Sequence, residues 1–251
     1  MDECVVTQDE INAITRKRLN RQAERLKRLE AAVFGPNAPT PDGPREGIVI
    51  QDDKDHEFAD NDVNSDTNAL FAVCRSLTLT RCLFRLRPGT GPNQYAARLS
   101  LSGALNANHC VFDNDAVDEA EAEACFRLIG CNGGEMLDCD FDGNRRLFGC
   151  GATDEAVDPQ PCINLTIRGG TAKITSTSPD VDRIGGKTTG LKFIGHRWII
   201  PDHKRIAAIE DGAEVEYIGC LRSPDGVNWR PLHKSAEDFK QPDHAGLKVS
   251  P

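Results

Sequence analysis

Ten cysteines give this sequence more capacity for disulfide or metal chemistry than a reduced cytoplasmic protein normally has. No Cys-x-x-Cys pair occurs, so we predict no metal site. Cys150 and Cys162 flank an insertion that a disulfide between them could close, and two buried thiols explain the pair equally well. Cys4 and Cys220 lie at the two ends of the fold and are candidates for disulfides to other chains, although Cys220 could equally be a free exposed thiol.

A short acidic strand is the feature most like an enzyme site. Asp138, Asp140 and Asp142 alternate and should face outward, with His109 and Asp113 nearby in the preceding repeat. Such carboxylates can act as a general acid and base or bind calcium. The same residues also form ordinary turn sequences, and a chain of net charge -9 exposes Asp in many places. We therefore expect no enzyme activity and no cofactor.

An internal repeat determines where these side chains lie. Six four-residue segments recur at intervals of 24 to 29 residues. Because strand side chains alternate, the second and fourth residues of each segment point the same way. Both columns are apolar, as in a solenoid whose coils stack like on like. The columns are Cys82, Cys110, Cys139, Leu165, Leu191 and Val215, and Phe84, Phe112, Phe141, Ile167, Phe193 and Tyr217.

This ladder predicts an all-β fold, a short right-handed parallel β-helix of about six coils over residues 70–220. A second ladder of Cys74, Ser102 and Cys131 indicates at least two strands per coil. Stacked coils lie about 4.8 Å apart, a strained distance for disulfides between neighbours. The ladder cysteines are therefore predicted to be buried thiols.

The flanking segments differ from the repeat. Residues 1–34 begin with a capping box at Thr7 and end before Gly35-Pro36, which predicts a helix. Its coiled-coil seam contains Leu19, Leu26, Leu29 and Val33. We expect this helix to oligomerise or dock on a partner, or else to fold back on the rod. Residues 35–69 are interpreted as a Pro-rich and acidic linker, and 221–251 as an arm that caps the rod or crosses to a neighbour.

The charge pattern limits the partners. The net charge of -9 disfavours nucleic acid and anionic membranes, although residues 8–34 are net positive. No secretion signal and no run of 18 apolar residues occurs. We expect a chain synthesised in a cytoplasm that later meets an oxidising exterior, as a lytic virus particle does.

In this order of elements the chain resembles the trimeric β-helix virion proteins of tailed bacteriophages: collar or neck appendages, spikes and capsid decoration proteins. The resemblance is architectural and no diagnostic motif carries it. It implies a homotrimer that contacts neck, sheath or capsid subunits in the virion, with Cys4 near the docking end. One alternative is a tailspike-like protein that binds or cleaves a host surface polysaccharide, and another is a cellular β-helix scaffold.

Overall fold

The computed structural model describes residues 47–65, 67–87, 94–114, 122–143, 146–151, 162–174 and 180–251. These residues form three eight-stranded sheets and contain no α-helix. Sheet A contains β1 Ile48–Gln51, β4 Leu70–Cys74, β7 Gln94–Leu101, β10 Ala122–Asn132, β13 Phe148–Cys150, β14 Cys162–Ile163, β17 Asp180–Ile184 and β20 Arg205–Ile209. Sheet B contains β2 Asp55–Ala59, β5 Ser76–Thr80, β8 Leu105–Asn108, β11 Gly134–Leu137, β15 Thr166–Arg168, β18 Leu191–Ile194, β21 Val215–Ile218 and β24 Leu247–Ser250. Sheet C contains β3 Asp62–Ser65, β6 Leu83–Leu86, β9 Val111–Asp113, β12 Asp140–Gly143, β16 Thr171–Ile174, β19 Arg197–Ile199, β22 Leu221–Ser223 and β23 Arg230–Pro231.

The chain passes from sheet A to sheet B to sheet C and then repeats, so that one strand from each sheet makes a coil. Every strand pairing is parallel except the short hairpin of β22 and β23. The fold is therefore a parallel β-solenoid, as the repeat predicts. The described residues form seven coils, 48–65, 70–86, 94–113, 122–143, 148–174, 180–199 and 205–223, here coils 1 to 7. Each has three strands except coil 5, which has four because both β13 and β14 pair with β10 of sheet A.

Coil 1 lies within the segment 35–69 that the sequence analysis assigned to a linker, so the solenoid begins before residue 70. Its inward side chains, Ile50, Phe58 and Val63, pack against the hydrophobic core. The strands are only four or five residues long, and acidic side chains such as Asp55 alternate with the apolar ones. The acidic composition of this segment therefore hid the alternation of inward apolar and outward polar side chains that is typical of strands.

The corner between sheets B and C contains a left-handed residue in every coil, and in coil 5 a second one, Gly170, follows it with a φ of 70°. Glycine takes this conformation freely, whereas other residues adopt it at a cost. Coils 5 to 7 use glycine there, and coils 1 to 4 use polar or charged residues. The corner residues and their φ angles are Asp60 57°, Arg81 52°, His109 52°, Asp138 47°, Gly169 64°, Gly195 61° and Gly219 59°.

The interior contains stacked side chains from neighbouring coils. On sheet C, the rings of Phe84, Phe112 and Phe141 stack with centroids 5.7 and 5.6 Å apart. Ile167 and Phe193, which the sequence places in the same column, lie instead on sheet B in register with one another. Inward apolar residues follow the corner before sheet B as well as the corner before sheet C. The repeat aligned from the sequence therefore follows the sheet C corner through coil 4 and the sheet B corner after it.

Residues 221–223 form β22 of coil 7, so the solenoid extends past the predicted boundary at residue 220, and residues 224–251 cover its C-terminal end. Strand β24 pairs in parallel with β21 and adds an eighth strand to sheet B. Phe239 is fully buried, and its ring centroid lies 5.0 Å from that of Tyr217. The capping alternative predicted for the arm is therefore the one found in this chain.

Candidate functional site

The cysteines at the corner between sheets B and C form the predicted buried ladder. Cys82, Cys110 and Cys139 are at most 1% exposed. Each Sγ donates to the carbonyl oxygen two residues earlier, at 3.5, 3.5 and 3.6 Å respectively. Hydrogen bonding among these thiols raises the pKa of Cys82, and raises that of Cys110 to about 11. Because the thiolate is the reactive form, the raised pKa values make Cys82 and Cys110 poorly reactive.

Cys220 belongs to this ladder rather than to the surface. Its corner aligns with that of His196, because Leu221 N–H donates to His196 O at 3.1 Å. The side chain is 3% exposed and its Sγ donates to Phe193 O at 3.3 Å. Burial raises the pKa of this thiol to about 11. The expectation that Cys220 stands free for another chain is therefore wrong, since the corner turns its side chain inward.

Leu165, Leu191 and Val215, placed in the cysteine column from the sequence, occupy the other corner. They stand just before or at the start of strands of sheet B, in a column with Leu105. The residues that continue the thiol column are Gly170, His196 and Cys220.

Cys150 and Cys162 are both free and buried. Cys162 pairs in register with Cys131 across β10 and β14, and it also hydrogen-bonds with Cys150. The bond with Cys162 raises the pKa of Cys131 well above its ordinary value. The structure therefore has the buried-thiol alternative at this position. Cys4 and the helix seam of Leu19, Leu26, Leu29 and Val33 lie outside the described residues.

Carboxylates of the acidic strand and of the neighbouring coil form ion pairs with side chains on adjacent coils. Arg85 Nε lies 2.7 Å from Asp113 Oδ2, and Lys173 Nζ lies 3.9 Å from Asp142 Oδ2. Asp138 stands at the corner, 3.9 Å from His109. Asp140 is exposed on sheet C and accepts the Thr171 N–H at 2.8 Å. The arrangement ties stacked coils together electrostatically.

A polar cluster inside the solenoid has no counterpart in the sequence predictions. Asp182 accepts from Phe148 N–H at 3.1 Å and from Trp198 Nε1–H at 3.2 Å. Burial raises the pKa of Asp182 to about 8 and lowers that of His196 to about 4. The only available sequence signal was the placement of Asp182 between Val181 and Arg183, a strand with mixed polarity on both faces.

The outer face of sheet A carries a column of arginines, also missed from the sequence. Arg98 and Arg127 are in register on neighbouring strands, and Gly149 and Arg183 continue the column. The Arg98 guanidinium carbon lies 5.9 and 5.6 Å from the ring centroids of Phe71 and Tyr95, within cation–π distance.

These features define a parallel β-solenoid with a hydrophobic core and charged outer faces. No protein-family model, curated protein or solved structure matches the chain. Among the described residues, no group of three or more His, Cys, Asp or Glu side chains is arranged to hold a metal ion. The described part also contains no helix long and apolar enough to cross a membrane.

Proposed function

We propose that this chain is a structural protein of a tailed-phage particle, a homotrimeric collar, neck or capsid decoration protein. The observation that carries the proposal is where the reactive groups lie. Nine cysteines are buried as thiols, and several exposed charges form ion pairs between neighbouring coils, as Arg168 does with Glu135 at 2.9 Å. A rod whose polar chemistry serves stacking suits a structural role better than turnover of a substrate.

The assembly follows from the sequence features outside the rod. In this proposal, the coiled coil predicted for residues 1–34, with its seam of Leu19, Leu26, Leu29 and Val33, holds three copies together. The solenoid is wound right-handed, the hand taken by nearly all parallel strand connections. The particle partners are neck, sheath or capsid subunits, and the chain reaches them after synthesis in the host cytoplasm.

Localisation on the particle tests this proposal. An antibody against the rod is applied to purified particles of the phage whose genome encodes the chain, and the particles are viewed by immunogold electron microscopy. Labelling of the neck or capsid, at a copy number divisible by three by quantitative mass spectrometry, is expected. The proposal is contradicted if, after density-gradient centrifugation, the chain is found in the host lysate and is absent from the band of particles.

We also propose that the protein reinforces the particle through subunit contacts and disulfides, with Cys4 as the cysteine that forms the disulfides. Non-reducing electrophoresis of assembled material should show covalent oligomers that disappear in Cys4→Ser. Cys220→Ser is the matched control, because that thiol is buried and should not affect cross-linking. Covalent oligomers that persist in Cys4→Ser, or that are absent from the wild type, would exclude this role.

Incubation with host surface polysaccharide distinguishes the proposed structural role from a tailspike-like enzyme. Unchanged glycan length is expected from a structural protein. Shortened glycan chains would favour the enzyme instead.

A further inference from the structure

Sheet A has an apolar patch on its outer face at the N-terminal end of the rod. Among the described residues, three large hydrophobic side chains are exposed: Val49 at 66%, Val73 at 41% and Val227 at 75%. Val49 is in register with Phe71, and Val73 follows Phe71 two residues later on the outward face of β4. Val49, Phe71 and Val73 are here called the N-terminal patch, whereas Val227 lies in the loop between β22 and β23. Adjacent exposed apolar side chains on one face are typical of a surface that another chain covers.

The N-terminal patch belongs to the one uncharged face of coils 1 and 2. The outward residues of β1 and β4 carry no charge. The other two sheets do carry charge on these coils: Asp55 and Glu57 on sheet B, and Asp62 and Arg85 on sheet C. A face without charge can approach an identical face without electrostatic repulsion. The patch is therefore suited to a second copy of this chain, whose net charge of -9 opposes self-association elsewhere.

The predicted seam precedes this face in the chain. Residues 35–46 connect the helix predicted from the sequence to Gly47, the residue before β1. Strand β1 is therefore the first strand of the rod after the seam. In a homotrimer, a residue near the rotation axis approaches its own equivalents in the other copies. On coil 1, sheet A is the face that makes such a contact without placing like charges together.

Arg98 limits the patch on its C-terminal side. It is in register with Phe71, and its guanidinium carbon lies 5.9 Å from the centroid of the Phe71 ring. Because three Arg98 side chains around one axis would repel one another, the apolar contact is confined to coils 1 and 2. Three side chains per copy bury less than the roughly 1,200 Å² that stable interfaces need, so this contact supplements the seam and does not replace it.

We propose that the three rods meet at the N-terminal patch, with Val49, Phe71 and Val73 of each copy packing against their equivalents around the three-fold axis. This inference rests on the proposed homotrimer and names the face of the rod that lies inside it. The partner is a second copy of this chain, and the contact is apolar, so added salt does not weaken it.

Cross-linking through a single introduced cysteine tests the contact. The full chain in a Cys4→Ser background receives Val49→Cys and is treated with a short bismaleimide. The nine described cysteines are buried and should not compete. The matched control is Ala59→Cys, at an exposed and uncharged position on sheet B of the same coil. Covalent dimers are expected from Val49→Cys, because each thiol faces its equivalents, and single chains are expected from Ala59→Cys.

Sedimentation velocity before cross-linking separates the outcomes. Trimers in solution whose Val49→Cys thiols do not cross-link, or cross-link no more than those of Ala59→Cys, overturn the patch inference and leave the homotrimer standing. Sedimentation of the wild-type protein as single chains overturns both.

An added carboxylate gives a second readout. Val49→Asp places three like charges together at the axis and should raise the protein concentration at which the trimer dissociates by about tenfold or more. Ala59→Asp adds the same charge on sheet B and should leave that concentration unchanged. Because both side chains are exposed on the rod, neither substitution disturbs the hydrophobic core. Equal trimer stability in the two variants contradicts the inference.

Discussion

The two ends of the solenoid differ in how well they cover the hydrophobic core. At the C-terminal end, Phe239 is fully buried over Tyr217, and Leu232 is 5% exposed. At the N-terminal end, the inward Phe58 and Val63 of coil 1 are only partly buried. Within the described residues, no strand pairs with the outer edges of β1, β2 and β3. A stacked core needs a cover at each end, and the described chain supplies one.

The charged side chains of the two ends also differ in burial: those of coil 1 are exposed, whereas the C-terminal cap buries an ion pair. Coil 1 has exposed carboxylates, and hydrogen bonds from His56 and Arg75 lower the pKa values of Asp52 and Asp55 respectively. Charge on an edge strand opposes unwanted pairing with other chains. The cap instead buries an ion pair, with Arg222 Nη1 2.9 Å from Asp238 Oδ1. The charges on coil 1 therefore disfavour pairing with strands of other chains, whereas the buried ion pair stabilises the C-terminal cap.

Breaking the buried ion pair should have the largest effect. Asp238→Ala leaves Arg222 buried without its carboxylate, and we expect the free energy of unfolding to fall by about 3–5 kcal/mol. Denaturant unfolding measures it. Asp60→Asn at the exposed corner of coil 1 is the control and should change stability little, since Asn tolerates a left-handed backbone. Equal losses at the two sites would refute the contrast between the ends.

Matched phenylalanine truncations compare how well the two ends are covered. Phe239→Ala should cost about 3–5 kcal/mol, whereas Phe58→Ala should cost about 1–2 kcal/mol because its ring is partly exposed. Denaturant unfolding of the two variants gives the comparison. A Phe58→Ala loss as large as that of Phe239→Ala would mean that coil 1 is covered in solution.

Asp182 should make stability depend on pH. Its pKa is raised to about 8 in the fold from 3.8, so its contribution is complete below the unfolded pKa and is lost as the pH rises through 8. Between pH 6.5 and 8 the unfolding free energy should fall by about 1 kcal/mol per pH unit. His196, whose pKa is lowered to about 4, acts mainly below that window. Asp182→Asn should abolish the slope, whatever its absolute stability; a slope retained in that variant would assign it to another group.

Thiol reactivity in the folded protein should be low at both ends of the solenoid. The nine described thiols should react with a thiol reagent only after unfolding, because they are buried and most have raised pKa values. Thiol counting before and after addition of denaturant measures this. Rapid labelling of Cys220 in the folded protein would contradict its place in the ladder.

The repeat was readable from the sequence where the inward residues are distinctive. The Cys-x-Phe segments at Cys82, Cys110 and Cys139 identified the corner and the ring stack of sheet C correctly. After coil 4 the corner residues become Gly170 and His196, which do not resemble cysteine, and the alignment moved to Leu165 on sheet B. A solenoid column is recognisable only while its residues keep the same character.

The outer faces were much less predictable. Arg98 and Arg127 become neighbours only once the register of β7 and β10 is known, and that register contains two irregularities. The acidic strand was visible because its carboxylates are close in sequence, but its pairing with Arg85 and Lys173 depends on the adjacent coils. Charge pairing across coils requires the three-dimensional register.

The mass of the full chain in solution tests the central claim, a homotrimeric structural rod. Analytical ultracentrifugation in reducing buffer at physiological salt removes any contribution from disulfides. We predict a single species with three times the 27.4 kDa mass of one chain. A species with the mass of one chain, unchanged at higher protein concentration, would contradict the proposal.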